Sequence, residues 1–307
     1  GVDSSVAALL LGRAGARVIG LYMLLWKEPP FGEAGTPAGP EAAQAVARKL
    51  GIPLEVVDLR AEFKRDVVDY LVSEYARGRT PNPCLACNRA IKFGRLLEVA
   101  QGLGADALAT GHYVRTEYRA GRWHLLRARD RRKDQSYVLF RLGQRELART
   151  RFPLGELAGK DETRGIAAGA DLPAAEEPES QEICFIADDD YRRFLQHVAP
   201  GVSRPGPILD RAGREIGRHA GLAGYTIGQR KGLGIAAPEP LYVLALDVER
   251  NAVIAGPARE LGGRFAQVED VAWVAGEPAE RLPAMAKIRY QAIEAEVEVT
   301  PAGPGEC

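Results

Sequence analysis

The chain has 307 residues, of which 46% are hydrophobic and 27% charged, a composition typical of a globular protein with two or three domains. Its formal net charge is zero, so no global excess of positive charge indicates nucleic-acid binding, and any such binding must depend on local patches. No apolar run approaches the roughly 20 residues of a membrane span, and four cysteines are too few for a disulfide-stapled secreted scaffold, so we expect a cytoplasmic protein with no membrane partner.

The first part of the chain alternates predicted helices with predicted strands. Hydrophobic patterning predicts a helix over 3–13, a buried strand over 18–24 and a helix over 41–50. The elements that follow are a strand over 54–59, helices over 62–77 and 90–103, and a strand over 107–114. This order predicts an α/β fold with a parallel sheet covered on both faces. Because the sequence opens on a helix, we expect the first strand of that sheet to be missing from it.

The second part of the chain predicts a hairpin, further helices and then short strands. The hairpin is expected over 118–126 around Ala120-Gly121, with helices over 135–142, 162–169 and 189–198. Pro205-Gly206-Pro207 indicates a linker. Strands follow over 242–247 and 252–255, and the alternation over 286–299 is typical of barrel strands. We therefore predict three domains: 1–200, a small β-rich central domain over 201–258, and a truncated C-terminal β-barrel over 259–307.

The opening residues lie where a strand would meet a helix, which is where phosphate-binding turns occur. Small residues let the backbone approach an anion, helix N-terminal amides point at it, and hydroxyls add donors. Gly1, Val2, Asp3, Ser4 and Ser5 fit this description. They also fit an ordinary helix start with Asp3 or Ser4 as its N-cap, so these residues alone leave both interpretations open.

Three cysteines lie in sequence contexts that suggest chemistry. Cys84 and Cys87 form a C-x-x-C pair, which fits zinc, redox or cluster binding, although a structural zinc site would usually supply a second close pair. Cys87 lies near the predicted start of the helix over 90–103, where the helix dipole should lower the pKa of a thiol. Cys184 lies in I-C-F-I, which fits either a reactive thiol or a small buried side chain.

Five motifs, taken in order, carry a resemblance to a known family. They are T-P-N-P-C-L-A-C-N-R-A-I-K-F (80–93), A-T-G-H-Y (109–113), K-D-Q-S-Y (133–137), S-Q-E-I-C-F-I (180–186) and G-Q-R-K-G-L-G-I (228–235). Together they resemble the bacterial tRNA-specific 2-thiouridylases, the MnmA/TrmU family, over essentially the whole chain. The opening residues also resemble the second half of the S-G-G-x-D-S signature of PP-loop ATP pyrophosphatases, the class to which that family belongs.

The resemblance implies a sulfur transferase that modifies tRNA and uses ATP with Mg²⁺. In the family, ATP adenylates the C2 oxygen of the wobble uridine with loss of pyrophosphate. A cysteine persulfide then supplies sulfur as AMP leaves, which gives 2-thiouridine. The implied partners are the tRNAs for Lys, Glu and Gln, and a cysteine desulfurase or sulfur-relay protein as the persulfide donor.

The family's functional residues can be carried over one by one. Cys184 would carry the persulfide, and Cys87 would be the partner thiol that releases the sulfur or closes a disulfide. The residues implied for ATP binding are Gly1, Val2, Asp3, Ser4, Ser5, Met23, Gly111 and His112. Those implied for tRNA binding are Asn82, Pro83, Cys84, Lys133, Asp134, Gln135, Arg289 and Tyr290.

Two of these assignments have plain structural alternatives. His112 could contact phosphate or be a packed histidine at a strand end. The basic run over 127–133, with Arg127, Arg129, Arg131, Arg132 and Lys133, could bind tRNA phosphates or form a solvated charged face.

The chain departs from the family at Cys84, where many members carry an aspartate proposed to assist proton movement at the base. With Cys84, Cys87 and Cys184 available, one alternative is an iron-sulfur cluster on three thiolates that activates sulfide without a persulfide. Apart from that cluster, no metal site is predicted. Another alternative is a non-catalytic tRNA-binding fragment, because only half of the phosphate-binding signature is visible.

Overall fold

The structure is a computed structural model that describes residues 1–27, 39–176, 183–186, 188–278, 280–289, 292–303 and 305–307. Its α-helices are α1 (Val2–Arg13), α2 (Pro40–Leu50), α3 (Arg60–Phe63), α4 (Asp69–Ala76), α5 (Pro83–Ala86), α6 (Leu97–Gly102), α7 (Gln144–Ala148), α8 (Lys160–Gly169) and α9 (Tyr191–Val198). Its strands are β1 (Gly20–Leu24), β2 (Leu54–Asp58), β3 (Leu108–Ala109), β4 (Val114–Arg119), β5 (Arg122–Arg127), β6 (Thr150–Arg151), β7 (Gly206–Leu209), β8 (Glu215–His219), β9 (Leu241–Asp247), β10 (Ala252–Pro257), β11 (Leu282–Ala286) and β12 (Ala295–Val299).

Parallel strand pairing begins with β1 and β2, which pair from Gly20 with Leu54 to Leu24 with Asp58. Between them, α2 ends at Gly51, whose φ of 67° lies in the left-handed region that favours glycine. The helices and strands predicted over the first 59 residues are therefore confirmed. A second parallel pair joins β3 to β6. Within the described residues the two pairs share no hydrogen-bonded strand, so the single parallel sheet that we predicted is present only as two fragments.

Two long helical segments pack beside these strands. Residues 60–76 run through α3, a π-helical turn (Lys64–Val68) and α4, while residues 83–102 run through α5, a second π-helical turn (Cys87–Leu96) and α6. The second segment begins at Pro83 rather than at residue 90, because proline suits the first helical turn and the Asn82 side chain caps the helix by accepting the Cys84 amide. Cys87 therefore lies inside the helical segment, not at its start.

The chain after β3 differs in part from the prediction. The strand predicted over 107–114 is wrong, because only Leu108–Ala109 pairs with β6 and Val114 begins a hairpin of β4 and β5. The hairpin is confirmed: Ala120 at φ 51° and Gly121 at φ 78° form the two-residue turn that matches the twist of antiparallel strands.

The helix predicted over 135–142 is also wrong. Only a 3₁₀ turn, Ser136–Val138, forms there. The side chains of Asp134 and Gln135 accept hydrogen bonds from the backbone amides of Ala128 and Tyr113, which ties the loop to distant segments instead of to a helix. The helices predicted over 162–169 and 189–198 are confirmed as α8 and α9.

A four-stranded sheet follows α9, in the order β8, β7, β10, β9. The predicted pairing of β9 with β10 is confirmed as an antiparallel ladder. Gly206 and Pro207 lie in β7, so the linker that we predicted at this point is wrong. In the last segment, β11 pairs antiparallel with β12, and the truncated β-barrel predicted over 259–307 stays a prediction.

Two hydrophobic clusters position the candidate site. The larger one surrounds the π-helical turns and includes Cys87, Phe93 and Phe185. The smaller one packs α1 against α8 and includes Val6 and Tyr113. No helix in the described ranges is both long enough and apolar enough to cross a bilayer.

Candidate active site

The turn at the start of α1 keeps its first amide groups available. Gly1 is the N-cap residue and makes no side-chain capping bond, so neither Asp3 nor Ser4 is the N-cap. The hydroxyls of Ser4 and Ser5 each donate to the Gly1 carbonyl oxygen, at 3.0 Å in both cases. The first amides of any α-helix lack intrahelical acceptors, so this turn suits an anion, and phosphate binding here stays a prediction.

Asp3 is held by two partners from distant parts of the chain. The Lys160 ammonium donates to both Asp3 carboxylate oxygens at 2.8 Å. The Tyr113 hydroxyl donates to Asp3 Oδ1 at 3.0 Å and lies 2.7 Å from Thr163 Oγ1. Lys160 lies outside the five motifs and two residues before the helix predicted over 162–169, so nothing in the sequence indicated a role for it.

Gly111 packs directly on the backbone of this turn. A Cβ atom at Gly111 would lie 2.7 Å from the Asp3 carbonyl carbon and 2.9 Å from the Ser4 amide nitrogen. Gly111 therefore makes a close backbone contact with the start of α1. Met23, also implied for ATP binding, lies on β1 and packs against the larger hydrophobic cluster.

Gly111→Ala is expected to destabilise the protein by about 1–3 kcal/mol, because the new methyl group meets backbone atoms that cannot rotate away. Urea denaturation measures this change. Gly12→Ala is the matched control: it lies in α1 with no atom within 4 Å of the point where a Cβ would be added, and it should stabilise by about 0.5–1 kcal/mol. Equal stability of Gly111→Ala and the parent protein would contradict the close packing.

His112 lies beside this turn but is buried among aromatic rings. Its ring centroid is 5.8 Å from that of Phe93 and 6.3 Å from that of Phe152, and Nδ1 lies 2.8 Å from Thr110 Oγ1. Burial, together with the nearby charge of Lys92, holds the pKa of His112 well below its usual value. The ring is therefore neutral at pH 7, which favours the packed interpretation over a cationic phosphate contact.

The thiols of Cys84, Cys87 and Cys184 lie close enough together to influence one another electrostatically. The pKa of Cys87 is raised to about 11, mainly by burial; the charge of Lys92 opposes this shift, and the thiols of Cys184 and Cys84 add to it. Burial likewise raises the pKa of Cys84 and of Cys184, although both are exposed at the surface. The lowered pKa that we predicted for Cys87 is wrong, because the thiol is buried inside the helical segment.

Lys92 is the cation that the three thiols share. Its positive charge lowers the pKa of Cys84, Cys87 and Cys184 against the effect of burial. Lys92 lies in the first of the five motifs, but the sequence alone indicates no role for it. In an α-helix of about 3.6 residues per turn, a residue five positions after Cys87 would point elsewhere, whereas a π-helical turn connects residues five apart.

An aromatic cluster fixes the position of Cys184. The next residue, Phe185, is buried with its ring centroid 5.4 Å from that of Phe63, 5.7 Å from Phe194 and 6.4 Å from Trp26. Anchored in this way, the turn presents Cys184 at the surface beside Lys27, whose charge lowers the pKa of the thiol. The interpretation of Cys184 as a small buried side chain is therefore wrong.

The three cysteines do not form a ready-made metal site. Across the described ranges, no group of three or more His, Cys, Asp or Glu side chains is placed to hold a metal ion. The arrangement therefore does not fit the cluster alternative.

Several residues predicted to face tRNA have structural contacts. Asn82 caps α5 and Pro83 is buried at its first turn. Asp134 also accepts from the Ser136 hydroxyl at 2.7 Å, and the Gln135 backbone amide donates to the Tyr113 carbonyl oxygen at 2.9 Å. These bonds place the K-D-Q loop, with Lys133, against A-T-G-H-Y, whose Gly111 packs on the start of α1.

Charged groups in the last segment of the chain contact two earlier segments. Arg289 donates to the Ile227 carbonyl oxygen in the turn that begins G-Q-R-K-G-L-G-I. Its predicted neighbour, Tyr290, lies outside the described residues. In the basic run, Arg127 pairs with Glu294 and Arg132 pairs with Asp130, so part of that charge is already neutralised.

Two family models match the chain. Residues 1–188 match the model described as a tRNA methyl transferase HUP domain, and residues 192–257 match the one described as a tRNA methyl transferase PRC-barrel domain. Proteins named tRNA-specific 2-thiouridylase MnmA match over almost the full length. The Moorella thermoacetica protein is 49% identical over 317 residues, which covers 100% of this chain and 88% of that protein. The chain belongs to the tRNA-specific 2-thiouridylase family.

Other members of the family show the same extent of similarity. The protein of Symbiobacterium thermophilum is 49% identical, covering 99% of this chain and 80% of its own length. The Roseiflexus castenholzii protein is 46% identical, with 99% and 87% covered. Among solved structures, the U34-tRNA thiolase NcsA from Methanococcus maripaludis with its [4Fe-4S] cluster is 20% identical, covers 66% of this chain and 64% of that one, and has a TM-score of 0.36, which is too low to support any inference.

Proposed function

We propose that this protein is a tRNA-uridine 2-sulfurtransferase that converts the wobble uridine of tRNA to 2-thiouridine at the expense of ATP. The observation that carries the proposal is the convergence of the phosphate-binding turn and the thiols. Asp3 contacts Tyr113, and the ring of the adjacent His112 lies 5.8 Å from that of Phe93 in a tilted arrangement. Lys92, which precedes Phe93 in sequence, lowers the pKa of all three thiols. Adenylation and sulfur transfer on one base need these two kinds of chemistry side by side.

The first step proposed is adenylation. The C2 oxygen of uridine bonds to the α-phosphorus of ATP, pyrophosphate leaves with the electrons of the broken P–O bond, and the N3 proton is lost to solvent. The amides of Val2 to Ser4 would bind phosphate oxygens. Mg²⁺ would supply charge neutralisation at the phosphates, and Asp3 fits it, because Mg²⁺ usually takes one or two carboxylates together with phosphate oxygens.

The second step proposed is sulfur transfer. The terminal sulfur of a Cys184 persulfide bonds to C2, and AMP leaves with the C2–O bond electrons. The Cys87 thiolate then attacks Cys184 Sγ, the S–S bond to the base breaks, and the electrons form the thiocarbonyl of 2-thiouridine. A Cys87–Cys184 disulfide results, and an external dithiol must reduce it before the next turnover. A methyl transfer, which the name of the family models suggests, would use neither thiol.

The remaining parts of the proposal concern partners and organisation. The substrates would be the tRNAs for Lys, Glu and Gln, and the persulfide would come from a cysteine desulfurase or relay protein in the cytoplasm. The division into domains over 1–200, 201–258 and 259–307 is supported by the ends of the two matching models at 188 and 257. Thr226 Oγ1 lies 2.9 Å from Thr80 Oγ1, and Arg289 donates to the carbonyl oxygen of the next residue, Ile227. These contacts bring segments from the second and third proposed domains near the T-P-N-P-C motif, where we propose that tRNA binds.

The decisive experiment is mass spectrometry of nucleosides from tRNA incubated with the protein, ATP, Mg²⁺ and a persulfide donor. We expect 2-thiouridine at the wobble position together with AMP and pyrophosphate. Binding of tRNA without either product would instead support a non-catalytic tRNA-binding fragment.

Cys84→Ser is expected to retain a substantial fraction of the thiolation activity in both aerobic and anaerobic preparations, because Cys87 and Cys184 suffice for the exchange. Cys84→Asp, which restores the residue of many relatives, should be active without iron. Iron content, visible absorption and 2-thiouridine yield are measured together. Activity confined to iron-loaded parent protein, with both variants colourless and inactive, would contradict the persulfide route.

A further inference from the structure

Lys160 is a nearly buried cation at the turn proposed to bind ATP phosphates. Its side chain is 11% exposed, and its ammonium lies 2.8 Å from both carboxylate oxygens of Asp3, whose side chain is 35% exposed. A buried ammonium requires such a partner, because its desolvation is costly. The two residues are 157 positions apart in sequence, so the pair joins α1 to α8.

The pair lies where the first turns of two helices meet. α1 begins at Val2 and α8 begins at Lys160 itself, so the amide ends of two packed helices lie at the same place. Helix N-termini carry partial positive charge. The first turn of α8 also carries Asp161 and Glu162, but it is the Lys160 ammonium that contacts Asp3 in the first turn of α1. A phosphate group bound by the α1 amides would therefore lie within reach of this ammonium, and the β- and γ-phosphates of ATP are such groups.

We propose that Lys160 binds the β,γ-phosphates of ATP and stabilises the departing pyrophosphate, after holding Asp3 in position in the free enzyme. This inference rests on the proposed function, because it names a residue for the adenylation step. During that step the bond between the α-phosphorus and the bridging oxygen breaks, and negative charge develops on pyrophosphate. A fixed ammonium beside that charge lowers the barrier without any reorganisation.

The competing explanation is that Lys160 only joins α1 to α8. The neighbouring hydroxyls offer a way to separate the two roles, because Thr163 links α8 to α1 only through an uncharged bridge: its Oγ1 lies 2.7 Å from the Tyr113 hydroxyl, which donates to Asp3. Thr163 also donates to the Gly159 carbonyl oxygen. Thr163→Val removes these uncharged bonds and leaves the ammonium in place. A structural role predicts similar losses for Thr163→Val and Lys160→Met, whereas a phosphate role predicts a loss specific to Lys160.

The test compares the affinities of inorganic pyrophosphate and AMP by calorimetry in the parent protein, Lys160→Met, Lys160→Arg and Thr163→Val. We expect Lys160→Met to weaken pyrophosphate binding by about ten- to one-hundredfold, the size of a hydrogen bond to a charged group, with AMP binding unchanged. Lys160→Arg should restore most of the pyrophosphate affinity. In tRNA-dependent pyrophosphate release, Lys160→Met should lose on the order of 10²-fold in kcat.

Lys49→Met is the surface control, since Lys49 pairs only loosely with Asp171 at 3.6 Å and should leave all these values unchanged. Equal weakening of pyrophosphate and AMP, or no weakening, in folded Lys160→Met would overturn the proposal. If that variant does not fold, Lys160→Arg decides, because a folded Lys160→Arg protein that binds AMP but no longer binds pyrophosphate would overturn it. Absence of pyrophosphate release in the parent protein would count against the proposed function, while the calorimetry would still test Lys160.

Discussion

Replacing Cys184 with serine is expected to abolish formation of 2-thiouridine while tRNA-dependent pyrophosphate release continues. Adenylation comes before sulfur transfer and uses an oxygen nucleophile, whereas a serine hydroxyl cannot carry a persulfide. Cys184 is exposed and its turn is anchored by the buried side chains of Phe185 and Ile186, so the change of one atom should not disturb the fold. Nucleoside mass spectrometry and a pyrophosphate assay on one preparation measure the two activities.

Cys307→Ser is the matched control. Cys307 is also a free cysteine, but it lies outside the thiol group and exchanges backbone hydrogen bonds with Val268. Both activities should survive in this variant. Loss of pyrophosphate release together with thiolation in Cys184→Ser, at an unchanged melting temperature, would contradict a role limited to sulfur.

The features that sequence predicted well are those with local causes. The hydrophobic period of α2 and its terminal Gly51 define a helix without reference to the rest of the chain, and Ala120-Gly121 defines its turn in the same way. The five motifs likewise identified the family, because each is a local string of residues. Together with the opening residues, these motifs placed the start of α1, the K-D-Q loop and the thiols in one proposed site.

The features that sequence missed depend on contacts between distant segments. The pKa of Cys87 is set by burial in the larger hydrophobic cluster, which outweighs the helix dipole that was the only local signal. The helix over 135–142 is lost because Asp134 and Gln135 bind backbone amides elsewhere. Lys160 belongs to the site only because α8 packs on α1, which no motif indicates.

The rate of sulfur release from persulfide-loaded enzyme is expected to rise with pH. The pKa of Cys87 is raised to about 11, so only about one thiol in a thousand is a thiolate at pH 8, and the fraction grows roughly tenfold per pH unit below the pKa. The thiolate is the attacking form. Single-turnover formation of 2-thiouridine from pre-adenylated tRNA, followed from about pH 7 to about pH 9.5, should therefore increase about tenfold per unit.

Lys92→Met should slow this step further and move the whole profile to higher pH. Lys92 is the nearby positive charge that lowers the pKa of Cys87, Cys84 and Cys184, and an opposite charge at close range is worth about one pKa unit or more, so we expect about a tenfold loss at pH 8. Lys92→Arg keeps the charge and should restore most of the rate.

A matched control separates this electrostatic effect from damage to the helix. Lys64→Met removes a lysine from the other π-helical turn. The Lys64 ammonium pairs with Asp69 at 2.7 Å and is not among the charges that shift the pKa of Cys87, so this variant should leave the pH profile in place. A slower Lys92→Met enzyme with an unshifted profile would mean that Lys92 acts on the tRNA or on packing. A profile that moves upward while pyrophosphate release stays constant would identify Lys92 as the charge that makes a deeply buried thiol able to react.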